Sequence, residues 1–185
     1  MLPQAVADAG PLIYLAQINK LLLIKNLFSR VSVIPEVKKE AFDEGIRLGY
    51  ADAHIVGKAI EEGWIVIKEA SDTVALAAEK LAEGENISQT DAKTLLLAKE
   101  SGADILVDEK ILSDLAKMYG LKVWNTWTLL LESLRRGFIR VSDIESAITE
   151  LGERRHKLKG KQAAEILKAA KLIASSRKKH DGLEV

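Results

Sequence analysis

Short apolar segments rich in β-branched residues alternate with helical patterns along most of the chain, and this alternation constrains the fold most strongly. Between each pair of predicted strands, apolar residues recur at helical spacing. Strands that alternate with helices form a parallel sheet whose two faces are covered by helices. The sequence therefore predicts an α/β fold of three layers, α/β/α, with a central and mostly parallel sheet. The predicted strands are VADA, VSVI, WIVIK, DILVD and LKVWN, in chain order.

The last part of the chain differs from the rest in pattern and in charge. After about Val141 only helical patterns remain, and residues 152–185 carry ten basic and four acidic residues, a net charge of +6. Because the whole chain is neutral, the other residues carry −6. A basic tail permits a polyanionic partner, although charge alone favours a solvated helix end. We predict a first domain over residues 1–140 and a helical basic extension over residues 141–185.

Composition excludes several classes of protein. The chain has no cysteine, which excludes disulfides, thiolate metal sites and cysteine nucleophiles, and fits a cytoplasmic protein. No apolar run reaches the roughly 20 residues of a membrane helix. No basic residue precedes the first apolar stretch, so a secretory signal is not expected. We expect a cytoplasmic protein that does not bind a membrane.

Proline, glycine and serine mark the predicted helix boundaries. Pro35 opens a helix through EVKKEAFDEG, and Gly45 is predicted to end it. Ser88, followed three residues later by Asp91, resembles a capping box with Asp in place of Glu or Gln. These signals place Asp91 in the first turn of a helix.

Five acidic residues lie where a ligand would bind in such a sheet. Asp8 and Asp108 each follow a predicted strand directly, and ligands bind beyond the carboxyl ends of parallel strands. Asp91 lies in the first turn of its helix, Glu36 starts the helix after VSVIP, and Glu40 lies one turn further on. The sequence therefore predicts that several of these carboxylates face one crevice.

Each acid also has a purely structural interpretation. Asp91 and Asp108 are placed to cap helices. Glu36 and Glu40 have lysines beside them, as on a solvated helix face. Asp8 is the hardest to explain in this way, because it lies between two apolar stretches and a buried unpaired carboxylate is costly. An arginine or a backbone group would still satisfy it.

Taken together, the acids favour a metal site. Carboxylates around one crevice repel one another unless a cation neutralises them. An oxygen-rich set without cysteine or a histidine pattern suits Mg²⁺ or Mn²⁺ rather than Zn²⁺. Such ions activate water and stabilise the leaving oxygen during phosphodiester cleavage. The residues alone thus favour a metal-dependent phosphoryl-transfer site.

Four motifs resemble those of the PIN domain, and more narrowly those of the prokaryotic PIN-like group related to VapC toxins. VADAGPLIYLAQI gives Asp8, IPEVKKEA gives Glu40 with Glu36 as the alternative, TDAKTLLLA gives Asp91, and DILVDEK gives Asp108. Their order and spacing agree over roughly residues 5–137. A later step of this group, VWNTWTLLL, aligns at Thr126.

The resemblance implies a ribonuclease that depends on Mg²⁺ or Mn²⁺. Some proteins of this group are the toxin of a toxin–antitoxin pair, and the resemblance extends to that role. It implies a catalytic set of Asp8, Glu40, Asp91 and Asp108, of which Asp8, Asp91 and Asp108 hold the metal. Glu40 or Asp91 is the general base where it is not a ligand, and Thr126 and Glu36 support the ligands. The implied partners are RNA, an antitoxin protein and a second copy of the chain. Candidates for contacting the RNA backbone are Arg154, Arg155, Lys157, Lys159 and Lys161.

Departures from the family pattern keep a second hypothesis open. Ala9 and Gly10 stand where Ser or Thr is frequent, and Leu106 and Val107 precede the fourth acid where a hydroxyl is common. Lost hydroxyls would leave the metal ligands less well oriented. The alternative is therefore a catalytically weak PIN-fold module that binds RNA or protein. A nucleotide-binding domain would need a glycine-rich loop after the first strand, which VADAGPL does not provide.

Overall fold

The computed structural model describes residues 2–154 and 158–181, and its centre is a parallel β-sheet. Over the described residues the sheet has five strands in the order β3-β2-β1-β4-β5. The strands are β1 (Gln4–Ala7), β2 (Arg30–Val33), β3 (Ile65–Ile67), β4 (Asp104–Leu106) and β5 (Val123–Trp124). Every neighbouring pair is parallel. The predicted three-layer α/β/α class with a C-terminal helical part is confirmed.

Helices connect the strands, as the sequence pattern predicts. The α-helices are α1 (Ala9–Gln17), α2 (Leu22–Leu27), α3 (Pro35–Lys38), α4 (Gly45–Arg47), α5 (Ala51–Glu61), α6 (Asp72–Glu85), α7 (Gln89–Ser101), α8 (Lys110–Met118), α9 (Thr126–Arg135), α10 (Val141–Glu153) and α11 (Gly160–Asp181). A π-helical segment, Lys39–Glu44, joins α3 to α4. Among the described residues no helix is long and apolar enough to cross a membrane.

Strand β1 lies at the middle of the sheet and is almost fully buried. Ala5, Val6 and Ala7 are each at most 1% exposed, because β1 has a strand on either side and strands of a parallel sheet are covered on both faces. The strand order changes direction between β1 and β4. A crevice for a ligand forms at such a switch point, beyond the carboxyl ends of the two strands.

One predicted helix end is wrong. The helix that begins at Pro35 continues through Gly45, whose φ of −60° is helical, and ends near Gly49, whose φ is +77°. Gly45 instead allows a close approach between helices, since a Cβ there would lie 2.5 Å from the Cβ of Ala53 on α5. The glycine therefore serves packing, and the left-handed turn that stops the helix falls four residues later.

The chain divides into two compact units, Met1–Thr126 and Trp127–Val185. The first contains the whole sheet and helices α1 to α8. Within the second, the guanidinium of Arg177 on α11 donates a hydrogen bond of 3.0 Å to the carbonyl of Leu134 near the end of α9. It lies over Gly137, whose φ is +83° and where a Cβ would lie 2.8 Å from Nη2 of Arg177. The boundary predicted between residues 140 and 141 stays a prediction.

Candidate active site

Asp8 is the first residue after β1 and the N-cap of α1. Its backbone N–H donates a hydrogen bond of 2.9 Å to the carbonyl of Leu106, so the pairing of β1 with β4 holds the backbone of Asp8 in place. The helix starts at the next residue, Ala9, which is buried. The side chain of Asp8 is half-buried at the point where the sheet ends.

Asp108 occupies the equivalent place after β4 and is held by Thr126. The hydroxyl of Thr126 donates to Oδ2 of Asp108 over 2.7 Å, and its backbone N–H donates to Oδ1 over 2.9 Å. Thr126 is fully buried at the start of α9, directly after β5 and Asn125. Both oxygens of the carboxylate are therefore oriented from one side by one residue.

Gly10 shows that Asp8 and Asp108 approach the same point. A Cβ placed on Gly10 would lie 3.4 Å from Oδ2 of Asp108 and 3.7 Å from Oδ2 of Asp8. The first turn of α1 therefore lies against both carboxylates. This meeting follows from topology, since β1 and β4 are parallel neighbours whose carboxyl ends share one edge.

Asp91 and Glu40 reach this edge from two further elements. Asp91 lies in the first turn of α7, where its backbone N–H donates 3.0 Å to the hydroxyl of Ser88, the N-cap. Glu40 lies in the π-helical segment Lys39–Glu44. Short π-helical segments widen a helix by one residue per turn and occur often at functional sites, because they change where a side chain points.

The pKa values of Asp8 and Glu40 are raised in part by the negative charges of neighbouring acids. The pKa of the Asp8 carboxyl is raised to about 6, mainly because burial disfavours the charged form. The negative charges of Asp91 and Glu40 raise this pKa further, whereas hydrogen bonds from the backbone N–H groups of Ala9 and Gly10 lower it. The pKa of Glu40 is raised by burial and by the charges of Glu44 and Asp91.

The structure thus brings together the four acids that the motifs predict, and it places Glu36 in a different contact. Glu36 at the start of α3 accepts a hydrogen bond of 2.7 Å from the ammonium of Lys93 on α7. That hydrogen bond lowers the pKa of Glu36. The pair links the helix that carries Asp91 to the helix that leads to Glu40.

The basic residues predicted to contact RNA belong to the second unit. Arg154, the C-cap of α10, and Lys159 and Lys161, at the start of α11, are exposed. Arg155 and Lys157 lie outside the described residues. The role of this group stays a prediction.

Sequence reasoning missed one aromatic residue of the site. Burial raises the pKa of the Tyr14 hydroxyl, and so do the charges of Asp108, Asp8 and Glu40. Tyr14 therefore lies within the field of three of the four acids. The available signal was its spacing, since Tyr14 follows Gly10 by four residues on α1.

Comparison with known proteins assigns the family. The model of the family described as DUF3368: PIN domain matches residues 4–172. The chain belongs to the PIN domain family. Members of this family are generally nucleases that use divalent metals and bind RNA.

A solved structure with a TM-score above 0.5 resembles this chain in fold. PAE2754 from Pyrobaculum aerophilum is similar at a TM-score of 0.52 and 18% identity, over 71% of this chain and 96% of that chain. A PilT N-terminus domain protein, SSO1118 from the hyperthermophilic archaeon Sulfolobus solfataricus P2, matches at a TM-score of 0.46 and 15% identity, over 71% and 93%. No curated protein matches the chain.

The donor set of this PIN domain fits a hard divalent cation. Within the described residues, no three acidic or histidine side chains form a group that would hold a metal ion by themselves. Mg²⁺ does not require such a group, because it keeps several waters and binds one or two carboxylates together with substrate phosphates. Asp8 and Asp108, whose Oδ2 atoms both lie near Gly10, provide two such carboxylates.

Proposed function

We propose that this PIN domain is an endoribonuclease that cleaves RNA phosphodiester bonds with Mg²⁺ or Mn²⁺. The observation that carries the proposal is the convergence of Asp8, Glu40, Asp91 and Asp108, from four separate elements, at the switch point of a parallel sheet. A structural role does not explain this arrangement, because the burial and neighbouring charges that raise the pKa of Asp8 to about 6 oppose its ionised form. A divalent cation offsets such a penalty.

The roles of the residues follow from their positions. Asp8 and Asp108 would hold the metal, with Asp91 as a third ligand or through water, and Thr126 fixes the orientation of Asp108. A Mg²⁺ or Mn²⁺ ion held there would activate a water molecule and neutralise the charge that develops on the phosphate. Glu40, in its π-helical segment, or Asp91 takes the proton from the attacking water.

Two further parts of the proposal concern partners. The resemblance of the motifs to VapC-type toxins supports an antitoxin protein and a homodimer as partners of this chain. The basic residues Arg154, Lys159 and Lys161 are proposed to contact the RNA backbone through its phosphates, together with Arg155 and Lys157.

The test compares cleavage of mixed RNAs in Mn²⁺ by the wild type and by Asp8→Asn and Asp108→Asn. Each substitution removes one negative charge and keeps the side-chain shape, and we expect each to abolish cleavage while circular dichroism shows a folded protein. Glu83→Gln, which removes an exposed charge on α6, is the matched control and should cleave like the wild type. Equal background cleavage in all four proteins would reject the proposal.

A second candidate function is a PIN-fold module that binds RNA without cleaving it. The observation in its favour is that Ala9 and Gly10 stand where the family often has hydroxyl side chains, which leaves fewer groups to orient the metal ligands. In that case Mn²⁺ would not raise the melting temperature of the wild type relative to Asp8→Asn, whereas a bound metal stabilises the protein that binds it.

A further inference from the structure

The side of α1 that faces the acids carries Gly10 and then Tyr14. These residues are four apart, so they lie on one face of the helix. The position of Gly10 is fixed against Asp8 and Asp108 by the distances of 3.7 Å and 3.4 Å from its Cβ position. Helical side chains lean toward the N-terminus of their helix. The ring of Tyr14 therefore leans over Gly10, toward the two carboxylates.

The electrostatic environment of Tyr14 agrees with this direction. Its hydroxyl lies near enough to Asp108, Asp8 and Glu40 to interact with the charges of all three. The side chain is only partly buried, so one part of it packs and another faces solvent. A phenol in this position remains protonated at neutral pH and can donate a hydrogen bond.

An RNA phosphate at this site needs donors that the acids do not neutralise. The carboxylates repel a phosphate, and Lys93, a nearby ammonium of the first unit, is already paired with Glu36 at 2.7 Å. An additional lysine or arginine among the acids would form ion pairs with them and compete with a divalent metal. A neutral hydroxyl carries no positive charge that would replace a divalent metal at the carboxylates, and it can donate a hydrogen bond to a phosphate oxygen.

We propose that Tyr14 contacts the substrate directly, its hydroxyl donating a hydrogen bond to a non-bridging oxygen of the RNA phosphate that is cleaved. This inference rests on the proposed ribonuclease function and adds to it a substrate-binding residue on α1. Gly10 leaves the space between Tyr14 and the carboxylates open, because any side chain there would lie against Oδ2 of Asp108.

The decisive variant is Tyr14→Phe, which keeps the ring and removes only the hydroxyl. We expect kcat/KM for RNA cleavage in Mn²⁺ to fall about 10- to 100-fold, the range for a hydrogen bond to a charged group. The affinity for Mn²⁺ in titration calorimetry and the melting temperature should not change. Tyr50→Phe, at a tyrosine that is 55% exposed, is the control and should match the wild type in all three measurements.

Phosphorothioate RNA makes the contact specific to one atom. The cleaved phosphate is first mapped with wild type, and then replaced by each of its two phosphorothioate diastereomers. If Tyr14 binds one non-bridging oxygen, the loss caused by Tyr14→Phe should be smaller with the diastereomer that carries sulfur at that oxygen. The other diastereomer should show the full loss.

Different results would overturn different parts. If wild type cleaves RNA and Tyr14→Phe cleaves it equally well, the role of Tyr14 is rejected and the ribonuclease remains. If Tyr14→Phe loses Mn²⁺ affinity by the same factor as cleavage, or loses equally with both diastereomers, Tyr14 holds the carboxylates and does not contact the substrate. If wild type neither binds Mn²⁺ nor cleaves RNA, the proposed function fails, and the role of Tyr14 fails with it.

Discussion

At the scale of single residues, the site holds charge where the fold disfavours it. Asp8 is half-buried, and Asp91 and Glu40 add their negative charges to the effect of burial. Residues that oppose stability in this way are typical of functional sites, where natural proteins give up stability for activity. The fold of this PIN domain should therefore become more stable when one of these charges is removed.

We expect Asp8→Asn to stabilise the metal-free protein at pH 7.5. The folded pKa of Asp8 is about 6 and the unfolded value is 3.8, so the folded state binds more protons between these values and loses stability as pH rises through them. At about 1.4 kcal/mol per pKa unit the gain is about 1–3 kcal/mol. Thermal unfolding in a chelator should show a higher melting temperature for the variant.

The pH dependence is the control for this prediction. Only well below the unfolded pKa of 3.8 is Asp8 protonated in both states, so the advantage of Asp8→Asn should shrink as pH falls from 6 and vanish there. Glu83→Gln should show no gain at pH 7.5, since Glu83 is exposed on α6. A variant Asp8→Asn that melts below the wild type at pH 7.5 would contradict this account of the site.

A second residue-scale prediction concerns Thr126. Thr126→Val removes the hydroxyl that donates to Oδ2 of Asp108 and keeps the backbone N–H that donates to Oδ1. Partners that orient a metal ligand contribute about 10- to 100-fold in metal affinity. Calorimetry should show such a loss of Mn²⁺ affinity for Thr126→Val, whereas Thr126→Ser, which retains a hydroxyl, should bind nearly as the wild type does. Equal affinity of all three would show that the hydroxyl does not orient Asp108.

At the scale of elements, the sequence predicts the strands better than it predicts where helices approach one another. Strands alternate with helices in a pattern that survives in the fold, and Asp8 and Asp108 stand directly after two of them. The end of the helix from Pro35 could not be predicted, because Gly45 serves its contact with Ala53 on α5 rather than a helix stop. Such a contact depends on three-dimensional packing and leaves no periodic signal in the chain.

The residues of the candidate site also differ in how well the sequence predicts them. Its acids could be predicted because each stands at a strand end or in a helical turn next to one. Tyr14 could not, since a tyrosine in an apolar helix is typical of a core residue, and only the fold shows that the face of α1 shared by Gly10 and Tyr14 lies against Asp8 and Asp108. The pairing of Lys93 with Glu36 likewise joins residues 57 positions apart in the sequence.

The element-scale prediction tests the packing of α5 against the π-helical segment. A Cβ on Gly57 of α5 would overlap the ring of Phe42 in that segment. Gly57→Ala should therefore destabilise the protein by about 1–3 kcal/mol through overpacking. Gly84→Ala on α6, where nothing lies within 4 Å of the new Cβ, should instead stabilise it by about 0.5–1 kcal/mol. Denaturant unfolding measures both.

The opposite signs of these two effects are the critical result. If Gly57→Ala were as stabilising as Gly84→Ala, α5 and the segment that carries Glu40 would not pack as closely as described. A loss of RNA cleavage in Gly57→Ala without a loss of stability would further connect this packing to the position of Glu40.

At the scale of the whole molecule, the distribution of charge matters more than its sum. The chain is neutral at pH 7, yet residues 152–185 carry a net +6. The acids of the site lie in the first compact unit, and Lys159 and Lys161 belong to the second. Association of a polyanion with a basic segment releases counterions, so its affinity falls as salt rises.

We therefore expect Lys159→Ala combined with Lys161→Ala to weaken RNA binding at low salt and to leave Mn²⁺ affinity unchanged. For every phosphate that the variant no longer neutralises, the slope of log affinity against log salt should become shallower by about 0.7 for single-stranded RNA. Lys58→Ala combined with Lys80→Ala, which removes two lysines that are exposed in the first unit, is the charge-matched control. Fluorescence anisotropy of a labelled RNA, titrated at several salt concentrations with Ca²⁺ in place of Mn²⁺, measures both slopes. If the slope changes equally in the two double variants, binding follows net charge alone and the C-terminal extension does not bind RNA specifically. If the slope changes only in the variant of Lys159 and Lys161, the start of α11 contacts the RNA backbone.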